Sequence, residues 1–140
     1  MTMLLDRLPA EALGDRLARC GLVAARIALG LVFTLAGASI FVLIGHPPPM
    51  PPDLAGTFTS AFFASRWVVF VDLLELTAGL LLLANRAVPF ALVLLAAILS
   101  NILVFHLTMQ PQTIPLPLVL TGLWFVLAYR HRATLIELLK

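Results

Sequence analysis

A chain of 140 residues, 61% hydrophobic and only 11% charged, with a mean hydropathy of +1.06, carries more apolar surface than a water-soluble domain of this size can hide. The net charge of +2 comes from basic residues scattered among apolar runs, which excludes a nucleic-acid-binding patch and leaves phospholipid headgroups as the partner of the bases. Cys20 is the only cysteine, so an internal disulfide, a CxxC redox pair and a cysteine-based zinc or iron–sulfur centre are excluded.

The amino-terminal stretch mixes Asp6, Arg7, Glu11, Asp15, Arg16 and Arg19 with leucines. It lacks the unbroken apolar core of a cleavable signal peptide, so the first apolar helix is expected to stay as an anchor. A span needs roughly 17 to 25 mostly apolar residues to cross a hydrocarbon core ~30 Å thick. Four stretches are read as spans, at about 22–44, 67–84, 88–107 and 116–129, the last falling short of that length at 14 residues. The first is stopped by Pro47-Pro48-Pro49, whose missing amide hydrogens and ring clashes forbid helix. Asn85 and Arg86 make so short a connection that the second and third spans must pack antiparallel, and Pro89 and Pro117 suit first helical turns. The expected architecture is all-α, a single integral membrane four-helix bundle.

Orientation follows from positive charge, which is retained on cytoplasmic flanks. Arg7, Arg16, Arg19, Arg26, Arg86, Arg130, Arg132 and Lys140 fall on one side, leaving only Arg66 on the other. Both termini are therefore placed in the cytoplasm of a bacterial inner membrane, with the Pro-rich connection 45–66 outside. Within that connection Leu54, Phe58, Phe62 and Phe63 recur at helical spacing, as in a short interfacial helix able to lie over the outer mouth of the bundle like a lid. Leu4, Leu5 and Leu8 at one end, and Leu135, Ile136 and Leu139 at the other, read as short helices lying on the membrane surface.

Ionisable residues at depth are the informative ones, because a charge at a span centre costs ~2.5 to 3.5 kcal/mol on insertion scales. Asp72 and Glu75 lie three apart with Gly79 one turn on, which makes one stripe of the second span face inward. Arg26, Gly30, Phe33 and Gly37 make a similar stripe in the first. At ~1.5 Å per residue, Arg26 sits about 6 Å and Glu75 about 13 Å from the inner ends of their helices, close enough for an Arg26–Glu75 ion pair that leaves Asp72 as the unpaired acid. Asn101 lies near the depth of Asp72 and can offer it an amide. His106, roughly 140° further round the helix, does not share the face of Asn101. Trp124 is placed to wall an inner cavity, and Trp67 to anchor at the interface. One histidine and two acids make no metal-ligand pattern, so no metal is expected.

These residues together resemble the DoxX family of bacterial four-helix membrane proteins. The resemblance covers about residues 26–132. It rests on Arg26-Ile27-Ala28-Leu29-Gly30-Leu31-Val32-Phe33 with Gly37, the prolines from Pro47 to Pro52, the run Glu75-Leu76-Thr77-Ala78-Gly79 followed by Asn85-Arg86, and Asn101-Ile102-Leu103-Val104-Phe105-His106 with Pro111 and Pro115. Ala78 stands where the family has a second small residue. The resemblance implies a link to membrane redox chemistry, with a quinone and an oxidoreductase partner.

The expected function is that of a redox-linked subunit or binding protein. In this reading Arg26, Asp72, Glu75, Asn101 and Trp124 hold a lipophilic polar-headed molecule, a quinone or lipid, within the bilayer. The rivals are a membrane-embedded enzyme in which Asp72 or Glu75, with His106 as second acid or base, moves a proton on a lipid or sterol-like substrate, and a purely structural bundle or homo-oligomer.

Overall fold

The computed structural model describes residues 7–138 and 140, with side-chain surroundings from residue 13 onward apart from 139. Every regular element among them is helical: α1 (Arg7–Ala38), a single turn α2 (Ile40–Leu43), α3 (Leu54–Ala64), α4 (Trp67–Leu83), α5 (Val88–Met109), a 3-10 turn (Pro111–Thr113), α6 (Pro115–Arg130) and α7 (Arg132–Glu137). The surface helix expected around Leu4, Leu5 and Leu8 lies outside the described residues or in the part of α1 whose side chains are not described, and Leu139 is likewise outside.

Two helical stretches, Leu13–Leu43 and Val88–Met109, are long and apolar enough to cross a membrane. The first apolar helix extends beyond the stretch 22–44 expected for the span. It begins at least as early as Arg7, and Ser39 keeps helical dihedrals, so α2 continues α1. Arg16 and Arg19 lie on this same helix, because Arg and Leu are strong helix formers and nothing between residues 7 and 38 is proline except Pro9, in the first turn.

α1, α4, α5 and α6 close a ring in which each packs against two others, α1 on α4 and α6, and α5 on α4 and α6. The core lies on the ring axis, with Leu29, Phe33, Leu82, Leu92 and Leu95 fully enclosed. The outer surface remains apolar, with Leu35, Phe70, Val104, Leu118 and Phe125 all more than half exposed. A continuous apolar exterior of this kind marks a surface that meets something other than water.

The α1–α4 register is fixed by glycine. A Cβ on Gly30 would press on Leu83, one on Gly37 on the backbone of Asp72 and Leu76, and one on Gly79 on Thr34. The two helices therefore lie in close contact over about two turns, running antiparallel, as small residues permit. The α4–α5 turn is tight enough to put both Asn85 (φ 53°) and Ala87 (φ 47°) in the left-handed region. α3 is capped by Asp53, whose side chain accepts from the Gly56 amide at 2.7 Å. It packs on α4 and α5, and Phe58 meets the Phe105 ring with centroids 5.6 Å apart.

Candidate functional site

Glu75 is the only charged side chain buried among the described residues, at 8% exposure. Its place follows from the stripe Glu75, Ala78, Gly79, Leu82, which α4 turns inward because Gly79 must meet Thr34. The carboxyl group opens on a cleft of about 570 Å³. Val32, Phe33 and Ala36 of α1 form one wall of it; Leu116, Pro117 and Leu120 of α6 form the other. Ile102 and His106 of α5 close the back, and Thr113 sits at the rim. The volume is in the range of small-molecule sites, which are mostly apolar with a few placed polar groups.

His106 reaches the cleft because it is in phase with the buried side of α5, through Leu92, Leu95, Leu99 and Ile102. Helix α5 ends three residues later, and Pro111–Thr113 folds back so that His106 Nδ1 lies 2.7 Å from Thr113 Oγ1. The Thr113 hydroxyl also lies 2.9 Å from the Gln110 carbonyl, which can only accept. With the hydroxyl proton on Gln110, Nδ1–H of His106 donates to Thr113. The neutral ring then carries its lone pair on Nε2. Thr113 was not singled out in the sequence. The signal was there in a threonine seven residues beyond a histidine, across a proline that ends the helix.

The other residues expected at this site lie elsewhere. Arg26 donates to the carbonyls of Leu82 and Leu83, the second at 3.3 Å, and so caps the carboxyl end of α4, where the last carbonyls lack helical partners and the helix dipole favours a cation. It does not reach Glu75. With Thr34 opposite Gly79, Arg26 is eight residues from that level in one direction and Glu75 four in the other, so the two are separated by ~18 Å along the axis. The expected ion pair assumed that both helices end level, whereas α1 runs well past the end of α4.

Asp72 is half-buried, forms no part of the cleft wall and has Gly37 packed against its backbone. Asn101 faces outward rather than inward, with Nδ2 donating to the Ala97 carbonyl one turn back at 2.9 Å. Trp124 does not wall the cleft; it packs on the core and its indole N–H donates to the Leu92 carbonyl at 2.8 Å, tying α6 to α5. Nor does any residue of 45–66 line the cleft, because α3 lies on the α4–α5 side of the ring while the cleft faces α1 and α6. Its rim comes from the third connection, Pro111–Pro115, in place of the expected lid.

The structure thus gathers Glu75, His106 and Thr113 in one apolar cleft, and leaves Arg26, Asp72, Asn101 and Trp124 out of it. A carboxyl group and an imidazole lining one apolar cleft can hold the polar head of an apolar molecule or pass a proton to it. No family model matches the chain, and no curated protein or solved structure is significantly similar to it.

Proposed function

We propose that the chain is an integral membrane protein crossing the bacterial inner membrane four times, with both termini in the cytoplasm, and that the Glu75 cleft binds a lipophilic polar-headed molecule, a lipid or a quinone. The observation that carries this reading is Glu75 itself, a buried ionisable side chain opening on a cleft that is otherwise almost wholly apolar. The four-span reading is supported by the two long apolar helices, by an apolar exterior on all four members of the ring, and by the clustering of Arg and Lys on one side. Helices α4 and α6, at 17 and 16 residues, are ~25 Å long, and span a thin hydrocarbon core with Trp67 and Tyr129 near its edges. The DoxX resemblance adds a redox partner to this reading, with the chain as the subunit that holds the lipophilic carrier.

A second reading is favoured by one observation: Glu75 and His106 line the same cleft, and the hydrogen bond to Thr113 presents His106 with a free lone pair. In this reading the chain is a membrane-embedded acid–base enzyme acting on a lipid.

Small-molecule mass spectrometry after mild detergent purification tests the binding reading. The wild-type chain retains close to one equivalent of one amphiphile, Glu75→Leu loses most of it, and Asn101→Leu, altered on the outer face, keeps it. Equal retention by all three, or none by the wild type, counts against the site. Turnover of a retained lipid that stops in His106→Phe while binding persists selects the enzymatic reading.

A further inference from the structure

The polar groups of the cleft are unbalanced in a way that specifies the ligand. Glu75 lines the cleft with a carboxyl group that, among the described residues, makes no hydrogen bond to a side chain. Even when protonated, a carboxyl group has more acceptor sites than its one hydrogen can serve. His106 adds Nε2, an acceptor in the neutral tautomer whose one proton lies on Nδ1 against Thr113. Thr113 has spent its own hydrogen on Gln110. With Glu75 ionised, the side chains lining the cleft therefore present acceptors and no donor, and an acceptor left without a partner in so apolar a cleft is destabilising. Arg26, the nearest basic residue on α1, is committed to the end of α4 and lies ~18 Å away along the helix axis.

The direction of the cleft specifies the rest. Val32 and Leu116 both line it and are 38% and 63% exposed, so it reaches the outer surface between α1 and α6. That surface is apolar, with Leu35 and Val119 beside the gap at 70% and 60% exposure. A molecule seated with its head at Glu75 leaves the ring sideways, among apolar side chains.

Resting on the binding reading above, we infer that the ligand is a single-tailed amphiphile with a donor-bearing head, a hydroxyl or amine group, whose head meets Glu75 and His106 and whose tail passes between α1 and α6. An acceptor-only head, such as the carbonyls of an oxidised quinone, meets acceptors at His106 Nε2 and at ionised Glu75, whereas the hydroxyls of a hydroquinone or a long-chain alcohol fit them.

The test uses the full chain in phosphatidylcholine nanodiscs with octadecanol carrying a photoactivatable diazirine in mid-chain, and peptide mapping of the labelled positions. Saturable labelling is expected at Val32, Ala36, Leu116 and Leu120. Unlabelled octadecanol should compete about fivefold better than octadecyl methyl ether, which has the same tail and no donor, since one net hydrogen bond is worth about that factor. The double variant Glu75→Leu/His106→Phe should lose this preference, with its elution profile and helicity confirming the fold. Saturable labelling in the cleft with equal competition by the ether overturns the donor-head inference while leaving a ligand site. Saturable labelling on the outer faces of α4 and α5 instead overturns the path between α1 and α6. Labelling that never saturates overturns both this inference and the binding reading.

Discussion

Gly79 on α4 and Thr34 on α1 meet backbone to backbone: a Cβ on Gly79 would stand 2.5 Å from both the amide nitrogen and Oγ1 of Thr34. This contact sets the level at which the two helices cross. It sends Glu75 into the cleft and Arg26 to the far end of α4.

Gly79→Ala must therefore force the helices apart. Overpacking of this kind costs about 1 to 3 kcal/mol, and the loss is read as a lower thermal midpoint in detergent. Gly21→Ala is the contrast, because nothing lies within 4 Å of a Cβ there. It should leave stability unchanged or raise it by up to about 1 kcal/mol, as alanine replaces glycine inside a helix.

Arg26 and Glu75 should behave as independent residues. Arg26→Met removes the cap on the Leu82 and Leu83 carbonyls and destabilises the chain. Combined with Glu75→Gln, its effect should add to within about 0.5 kcal/mol, as for distant sites without shared partners. A coupling of several kcal/mol would restore the direct ion pair.

Ala87 holds φ at 47° in the α4–α5 turn, a conformation that disfavours any Cβ. Ala87→Gly relieves it, and a gain of up to about 1 kcal/mol is expected from the relieved left-handed residue, partly offset by the greater freedom of the unfolded glycine. An unchanged or lower unfolding midpoint would argue against that turn geometry.

His131, between α6 and α7, titrates below the ordinary histidine value of 6.5, first because burial disfavours its charged form and then because Arg130 is beside it. The unfolded chain thus takes up the proton at a higher pH than the folded one. Its contribution to stability is complete above pH 6.5 and is lost as pH falls through the folded-state value. Observation of the imidazole by NMR should show a midpoint below 6.5, rising towards it in Arg130→Ala.

Helix existence was legible from run length and proline placement: Trp67–Leu83, Val88–Met109 and Pro115–Arg130 lie within about two residues of the apolar runs that suggested them. The inward turn of Glu75 was legible too, because Gly79 shares its stripe. Register was not. Nothing local records that α1 overruns α4, and the depth of Arg26 depends on that offset. The facing of α5 was hidden for a different reason. Almost every position of Val88–Met109 is apolar, so amphipathic contrast is weak, and a polar Asn101 attracts attention that belongs to the in-phase His106. Where the outside is as apolar as the core, polarity alone does not say which face is buried.

An experimental structure in nanodiscs of the chain as purified tests the central claim most directly. Elongated density is expected in the cleft, in contact with Glu75 and His106 and leaving the ring between Val32 and Leu116. A cleft closed by direct contact of Glu75 with His106, with Phe33 and Leu120 packed together over them, would contradict it.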